Sequence, residues 1–176
     1  MRYISAFLGF TAFALAQAAL PSVASAAPVT LAPVAISAEF QTTLDEDLGA
    51  REGDVLRDAT ARMVSAALAR HGATLSDSAP LVVEIVIVDA DPNRPTFEQL
   101  GASPGLDAFR SISVGGAELR GTLRAADGHI VSEVNHRRYN NSLVDLTGGE
   151  STWTDARRAI RQFAEKIADA YVANAR

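Results

Sequence analysis

The sequence predicts an α+β fold: a two-layer sandwich in which two helices cover one face of a four-stranded mixed sheet, in the order β-α-β-(long loop)-β-β-α. Three observations predict it. A β-branched run at 81–90 is apolar on both faces, which is typical of a central strand. An Asp-Gly pair at 127–128 joins two alternating segments into a hairpin. Apolar residues spaced three and four apart predict amphipathic helices at 54–71 and 152–174.

The composition indicates one domain and excludes several functions. A chain of 176 residues, 48% of them hydrophobic, is long enough for one core and too short for two full domains. Its net charge of -5 argues against a nucleic-acid partner, because proteins that bind the phosphate backbone carry a basic excess or stripe. The chain has no cysteine, so disulfides, thiolate metal sites and cysteine nucleophiles are excluded.

Residues 1–26 have the features of a cleavable signal peptide. A largely apolar run over 4–20 precedes Ala24 and Ala26, which fit the small-residue rule of a signal peptidase site. Cleavage there leaves 27–176 as a single domain. We therefore expect a protein exported to the periplasm, with no stable membrane insertion after cleavage. An uncleaved anchor is the alternative, since the 17 residues of the run reach the lower end of a spanning length.

The next segments predict a strand and a helix. Residues 27–31 form a small apolar leader that we expect to be loosely held, and 33–40 alternates as a strand does. After a mostly polar stretch over 41–53, Asp54 is the predicted N-cap of a helix that Gly72 ends. The predicted buried stripe of this helix consists of Leu56, Ala59, Met63, Ala66 and Ala67.

A long loop over 91–110 follows the central strand at 81–90. The loop contains prolines and glycines, and Phe97, Leu100 and Phe109 are spaced through it. Loops of this length in small domains are often functional, and otherwise they are lids that their own apolar side chains hold in place. Both interpretations stay open at this point.

A β-hairpin is predicted from the two segments 111–126 and 129–139. Asp127-Gly128 lies between them and favours a two-residue type I′ turn, in which both central residues need positive φ. The turn and the side chains together set the register of the hairpin.

With this turn, side chains that suit each other face one another across the hairpin. Leu119 lies opposite His136, and the oppositely charged Glu118 and Arg137 meet on the other face. A three-residue loop would shift the register by one and set Leu119 against Asn135, so we expect the two-residue loop. The other predicted neighbours are Leu123 with Ser132, Gly121 with Val134, Thr122 with Glu133, and Arg124 diagonal to Glu133.

The last predicted element is a helix from near Thr152 to about Asn174. Thr152 and Asp155 stand three apart as a capping box with Asp in place of Glu. On the outer face, Arg161 and Glu165 are spaced for an i,i+4 ion pair. The predicted core-facing stripe consists of Trp153, Ala156, Ile160, Phe163, Ile167 and Tyr171.

One hydrolase motif occurs in the sequence, but its context is unsuitable. Residues 101–105 match G-x-S-x-G, and Asp127 and His129 follow in the order of α/β-hydrolases. A nucleophile elbow needs a strand before Ser103 and a backbone N–H after it, and Pro104 has no N–H. We therefore interpret the motif as a turn and predict no catalytic residue.

We predict no metal site and no cofactor. His129 and His136 are an odd number of residues apart, so on one strand they point to opposite faces. The basic run at 136–139 could hold a carboxylate or phosphate through its guanidinium groups, or it could protect an exposed strand edge. The predicted contacts with a ligand or partner are Arg94, Phe97 and Phe109 of the long loop and His136, Arg137, Arg138 and Tyr139 of the basic run.

The chain resembles the small uncharacterised envelope proteins and lipoproteins of Gram-negative bacteria that are classed as domains of unknown function. The similar features are the central apolar strand, the run Gly116-Ala117-Glu118-Leu119-Arg120-Gly121-Thr122-Leu123, the Asp127-Gly128 turn and Trp153-Thr154-Asp155-Ala156. The resemblance covers about residues 80–173 and implies the fold and an envelope location. Many of those proteins carry a lipid-anchored cysteine, which is absent here.

We expect a non-catalytic binding or envelope-assembly module that presents a sheet edge or the 91–110 loop to another envelope protein. Two alternatives stay open. One is a periplasmic hydrolase that uses Ser103 or a site centred on His136. The other is a carrier that holds a small apolar or anionic ligand between the loop and the sheet.

Overall fold

A computed structural model describes residues 28–142, 144 and 151–174, so the predicted signal peptide lies outside the described residues. Its elements are β1 (Val29–Leu31), β2 (Ala35–Ile36), α1 (Ala38–Thr43), a π-helical turn (Leu44–Leu48), α2 (Ala50–Arg70), β3 (Leu81–Asp91), α3 (Phe97–Ala102), β4 (Gly116–Ala125), β5 (Ile130–Tyr139) and α4 (Thr154–Asn174). The α+β class is confirmed. The numbers of elements differ from the prediction. The described residues form five strands and four α-helices, whereas four strands and two helices were predicted.

The sheet is mixed, and β3 lies at its centre as predicted. The order is β1-β3-β4-β5, and β2 also pairs with β3, on the same side as β1. The two short strands run parallel to β3, whereas β3, β4 and β5 are antiparallel. Pro33 separates β1 from β2 and has no N–H to donate, which suits the break between two edge strands.

The leader over 27–31 was expected to be loosely held, but its residues Val29–Leu31 form a strand of the sheet. Val29 is fully buried and lies beside Leu81 of β3. This segment is ordered because its apolar side packs into the core beside β3, and removing that surface from water is favourable. A three-residue strand gives too little alternation for the sequence alone to show it.

The strand predicted over 33–40 is also much shorter in the structure, since it covers only Ala35–Ile36. Ser37 ends it: its hydroxyl accepts a hydrogen bond from the Phe40 N–H at 3.1 Å and donates one to the Val88 carbonyl at 2.8 Å. A serine in this position is a helix N-cap, so the chain turns into α1.

The first long helix begins earlier than predicted. The polar stretch at 41–53 is itself mostly helical, and α2 begins at Ala50 instead of after Asp54. Asp54 lies inside the helix, where its carboxylate pairs with Arg57 at 2.8 Å. The C-terminal boundary is confirmed: the helix ends at Arg70, and Gly72 has φ +85°.

The helices α2 and α4 pack together on one face of the sheet and form the core with it. Along β3, the predicted face of Leu81, Val83, Ile85 and Ile87 is buried, and the whole predicted stripe of α4 is buried. In α2, Leu56, Ala59 and Ala67 are buried as predicted, but Met63 is half-buried and Ala66 is exposed; Val64 and Leu68 are buried in addition. No helix among the described residues has the length and apolarity that crossing a bilayer needs.

Thr60 is a weak point of this core. It is fully buried in α2, and its hydroxyl has no hydrogen-bond partner within the described residues. A buried hydroxyl without a partner costs about 1–3 kcal/mol of desolvation. We therefore expect Thr60→Val to raise the free energy of unfolding by about 1 kcal/mol, measured by urea denaturation, whereas the exposed control Thr42→Val should leave it unchanged. A loss of stability in Thr60→Val would contradict this interpretation.

The hairpin register is confirmed, but the turn is of a different type. Leu119 lies opposite His136 as predicted. The Gly128 N–H donates to the Ala125 carbonyl at 2.9 Å, and Gly128 has φ +88°. Asp127 has negative φ, because positive φ among the described residues occurs at glycine alone, so the turn is not type I′.

The loop of the hairpin therefore has three residues, and a β-bulge corrects the register. Ala125 bonds to His129 across the loop, and the pairing then shifts between the pairs Leu123/Ser132 and Arg124/Ile130. Val131 is the extra residue. A three-residue loop followed by a bulge gives the same pairing along most of the strand as a two-residue loop does.

Candidate functional site

The candidate site is built on the loop between β3 and β4, residues 92–115, which we call the β3–β4 loop. Its first half contains α3, which the sequence interpretation missed. Thr96 and Gln99 form a capping box: the Thr96 hydroxyl accepts from the Gln99 N–H at 3.3 Å, and the Gln99 side chain accepts from the Thr96 N–H at 3.2 Å. A threonine followed three residues later by glutamine is typical of a helix start, so this spacing could have predicted α3.

The second half of the loop is held by polar side chains. The Asp107 carboxylate accepts hydrogen bonds from the Phe109 and Arg110 N–H groups, both at 2.8 Å. The Arg94 guanidinium donates to the carbonyls of Phe109 at 2.7 Å and Ala108 at 3.4 Å. Arg94, a predicted contact residue, thus positions the backbone of the loop.

The phenylalanines of the loop do not hold it in place. Phe97 is 83% exposed and Phe109 is 86% exposed, while Leu100 is half-buried. The interpretation of a lid pinned by these apolar side chains is therefore wrong, because both aromatic rings point into solvent and polar contacts order the loop instead. Large apolar side chains displayed on an ordered backbone are typical of binding surfaces.

Asn93 connects the start of the loop to the start of α4. It is fully buried, and its N–H donates to the Thr152 carbonyl at 2.7 Å. Its side-chain amide donates to Asp155 Oδ2 at 2.7 Å, and its Oδ1 accepts from the Asp155 N–H at 2.8 Å. The Thr152–Asp155 capping box is therefore wrong: α4 begins at Thr154, and Asn93 takes the N–H that a cap would bind.

The carboxylate of Asp155 is the centre of this polar cluster. It is 1% exposed and receives hydrogen bonds from Asn93, from Arg158 at 2.9 Å and from Asn140 at 3.5 Å. Burial alone would raise the pKa of Asp155, but the three hydrogen bonds outweigh burial and hold the pKa below its ordinary value. The cluster fixes the end of β3, the end of β5 and the first turn of α4 to one another.

The four residues of the basic run divide between the two faces of the sheet. His136 and Arg138 lie on the side covered by α4, and Arg137 and Tyr139 lie on the uncovered side, because strand side chains alternate. His136 Nδ1 is 3.0 Å from Lys166 Nζ of α4. Burial, followed by the positive charges of Lys166 and Arg138, lowers the pKa of His136.

On the uncovered face, the contacts of β5 form a chain of polar groups. The predicted pair of Glu118 and Arg137 is confirmed at 3.3 Å. Arg137 also lies 4.5 Å from the centre of the Tyr139 ring, and the Tyr139 hydroxyl donates to Asp89 Oδ2 at 2.6 Å. Burial and the neighbouring Asp89 raise the pKa of Tyr139 well above its ordinary value, so its hydroxyl stays protonated.

Two predicted charge contacts have other partners. Arg124 pairs with Glu84 of β3 at 3.0 Å, and its predicted neighbour was Glu133. Glu165 of α4, predicted to pair with Arg161, contacts Arg70 and His71 at the end of α2 instead. Both corrections have one cause: a neighbouring element that the local sequence does not show comes within reach.

Asp91 lies at the end of β3, where its surroundings disfavour the ionised form of its carboxyl group. Partial burial of the carboxyl group, followed by the negative charge of Asp89, raises the pKa of Asp91 above the ordinary 3.8, and Arg137 opposes this only in part. The folded state therefore holds this proton more tightly than the unfolded state does. Ionised Asp91 costs stability at neutral pH, and the cost disappears as the pH falls through the raised pKa towards 3.8.

We accordingly expect Asp91→Asn to be more stable than the parent protein at neutral pH and to lose this advantage in acid. Urea denaturation across a pH series measures the difference, with the exposed Asp58→Asn as the matched control. A variant that is less stable than the parent at neutral pH would show that another contact of Asp91 dominates.

A cleft of about 650 Å³ lies between the β3–β4 loop and the π-helical turn. Four charged residues line it, two acidic and two basic: Asp47, Asp91, Arg94 and Arg110. Its apolar wall includes Leu48, Leu106, Ile112 and Val114. The Gln99 side chain crosses to Asp47 at 2.9 Å and links the two walls. The volume lies in the range of small-molecule sites.

The G-x-S-x-G motif does not form a nucleophile elbow. Ser103 follows the helix α3 instead of a strand, and its N–H donates to the Gln99 carbonyl at 3.0 Å. His129 lies at the hairpin turn, where its Nδ1 is 2.7 Å from Asp127. Within the described residues, no group of three or more histidine and acidic side chains is arranged to hold a metal ion.

Comparison with known proteins finds similar solved structures but shows no family and no activity. No family model and no curated protein matches the chain. Among solved structures, it is similar to the PelC dodecamer from Paraburkholderia phytofirmans, with 12% identity over 86% of this chain and 90% of that chain and a TM-score of 0.47. A minor lipoprotein from Acinetobacter baumannii has 15% identity over 85% and 94% of the two chains and a TM-score of 0.40.

The protein XCC0632 from Xanthomonas campestris, of the family DUF330, is also similar, with 12% identity over 89% and 88% of the two chains and a TM-score of 0.45. At such low identities and TM-scores, these structures assign no activity to this chain.

Proposed function

We propose that the protein is a non-catalytic binding module of the bacterial periplasm and that its β3–β4 loop contacts another envelope protein. The observation that carries the proposal is the display of Phe97 and Phe109, more than four-fifths exposed, on a backbone ordered by its own hydrogen bonds. Such rings lose unfavourable contact with water when a partner covers them, and little backbone entropy is lost because the loop is already ordered.

Export is the second part of the proposal and depends on the sequence of residues 1–26. The small residues Ala24 and Ala26 support cleavage by signal peptidase. The absence of cysteine suits an oxidising compartment, because no thiol is available for unwanted disulfides. Amino-terminal sequencing of the protein recovered from a periplasmic fraction tests this part, and an intact leader on that material would contradict it.

The binding proposal is tested by site-specific cross-linking in cells. A photoreactive amino acid in place of Phe109 should capture one discrete envelope protein, and the same group in place of Val144, which is 92% exposed, should not. The captured protein should also co-purify with the unmodified chain. The double variant Phe97→Ser, Phe109→Ser should weaken that complex about thirtyfold or more, as loss of aromatic anchors does. Unchanged binding by the double variant would overturn the proposal.

The cleft of about 650 Å³ favours a second candidate function, the carriage of a small ligand. Arg110 and Leu106 on its walls would suit a molecule with an anionic group and an apolar body. Native mass spectrometry of protein purified from the periplasm distinguishes the two functions. A retained mass that disappears in Leu106→Arg supports carriage, and an empty protein supports the binding module.

A further inference from the structure

Among the described residues, β5 is the longest edge strand of the sheet. Strand β5 has ten residues, Ile130–Tyr139, and it is the last strand in the sheet order, with no strand beyond it among the described residues. An edge of this length presents a row of backbone donors and acceptors that favours pairing with another strand. Its side chains therefore indicate which strand fits.

The hydrogen bonds to β4 show which backbone groups of β5 point outwards. The Asn140 N–H donates to the Gly115 carbonyl at 2.8 Å, and this sets the alternation along the strand. In an antiparallel pair, alternate residues bond to the partner and the residues between them bond away from it. The groups of Glu133, Asn135, Arg137 and Tyr139 consequently point away from β4.

The charges of these outward-bonding residues are complementary to those of the same strand in a second copy of the chain. If two copies of β5 pair antiparallel about Asn135, Glu133 of each copy lies opposite Arg137 of the other, and nine of the ten strand residues overlap. Opposite charges in facing positions stabilise a strand pair. Pairing about Glu133 or about Arg137 would instead set two like charges against each other. Pairing about Val134 or about His136 would bring no opposite charges face to face, so the register about Asn135 is the one that the charges favour.

We propose that two copies of the chain associate through β5 about a twofold axis at Asn135, so that their sheets join into one continuous sheet. This inference is independent of the β3–β4 loop. The interpretation of the basic run as edge protection is compatible with it, because Arg137 and Arg138 disfavour unrelated strands while Glu133 admits a second copy. The side chains of Arg137 and Glu133 are exposed and can reach a partner.

Charge reversal tests the register. Sedimentation of the purified protein over a dilution series should show a monomer–dimer equilibrium. Glu133→Arg places Arg opposite Arg twice and Arg137→Glu places Glu opposite Glu twice, so each variant alone should dimerise at least about tenfold more weakly. An equimolar mixture of the two restores both complementary pairs and should form a heterodimer. Arg62→Glu on the exposed side of α2 is the matched control.

A cross-linking experiment tests the axis. The chain has no cysteine, so Asn135→Cys introduces a single thiol at the proposed axis, where facing Cα atoms lie about 5.5 Å apart. A short thiol-specific cross-linker should join two copies of Asn135→Cys and leave Thr122→Cys, on the neighbouring strand, as a monomer. Circular dichroism confirms folding of each variant. A monomeric parent protein, a larger closed assembly, dimers in both charge variants or failure of the mixture to pair would overturn the proposal.

Discussion

Asp155→Ala is expected to lower the free energy of unfolding by about 3 kcal/mol. The carboxylate is buried and bonds to the Asn93 amide and to Arg158. Its removal leaves the buried Asn93 amide with one acceptor fewer and Arg158 without the carboxylate, and an unsatisfied buried polar group bears its full desolvation cost. Urea denaturation measures the change, and the exposed Asp169→Ala on the same helix is the control.

The pH dependence separates this effect from a simple loss of packing. Hydrogen bonds hold the folded-state pKa of Asp155 below its ordinary value of 3.8, so the stabilisation is complete above that value and is lost as the pH falls through the lowered pKa. The gap between the parent protein and Asp155→Ala should therefore narrow in acid. A gap that stays constant at all pH values would mean that the ionised carboxylate is not the source of the stability.

Gly121→Val is the second large expected effect, again a loss of about 3 kcal/mol. Gly121 lies in the middle of β4, directly beneath α4. A Cβ atom there would stand 2.4 Å from Ile167 Cδ1 and 2.9 Å from Phe163 Cζ, far inside van der Waals contact. Both neighbours are fully buried, so neither can move without disturbing the core.

A matched glycine gives the control for this substitution. Gly101 lies in α3, and a Cβ there would meet no atom within 4 Å. Gly101→Ala should stabilise the protein by about 0.5–1 kcal/mol, because alanine has less conformational freedom to lose in a helix. Thermal unfolding of both variants checks the pair. Equal melting temperatures for Gly121→Val and the parent protein would show that α4 can move away from the sheet.

The central part of the fold could be predicted because its signals are local. The apolar run of β3 and the facing charges of Glu118 and Arg137 are visible in the sequence, and both are confirmed. The hairpin turn could not be predicted, because a three-residue loop with a bulge at Val131 gives the same pairing as a two-residue loop along most of the strand. Strand β1 escaped prediction and β2 was predicted too long, because two or three residues carry too little periodicity.

The candidate site was predictable in its location but not in its contacts. The sequence singled out the loop and its phenylalanines, yet the functions of the polar residues depend on parts of the chain far away. Asn93 is an ordinary loop residue in the sequence, and its importance arises because Asp155, 62 positions later, reaches it. The helix α3 is different, because the spacing of Thr96 and Gln99 in the local sequence is enough to predict its start.

The position of α4 after β3, β4 and β5 in the sequence has a consequence for the order of folding. A chain delivered amino end first presents β3 and the hairpin before the helix that shields them, because α4 supplies the buried layer over β4 and β5. Until α4 is synthesised, the aggregation-prone apolar face of these strands stays exposed to water. The core is therefore completed late in biosynthesis, when α4 covers the sheet. We expect nascent chains that stop before α4 to need a chaperone that prevents their aggregation.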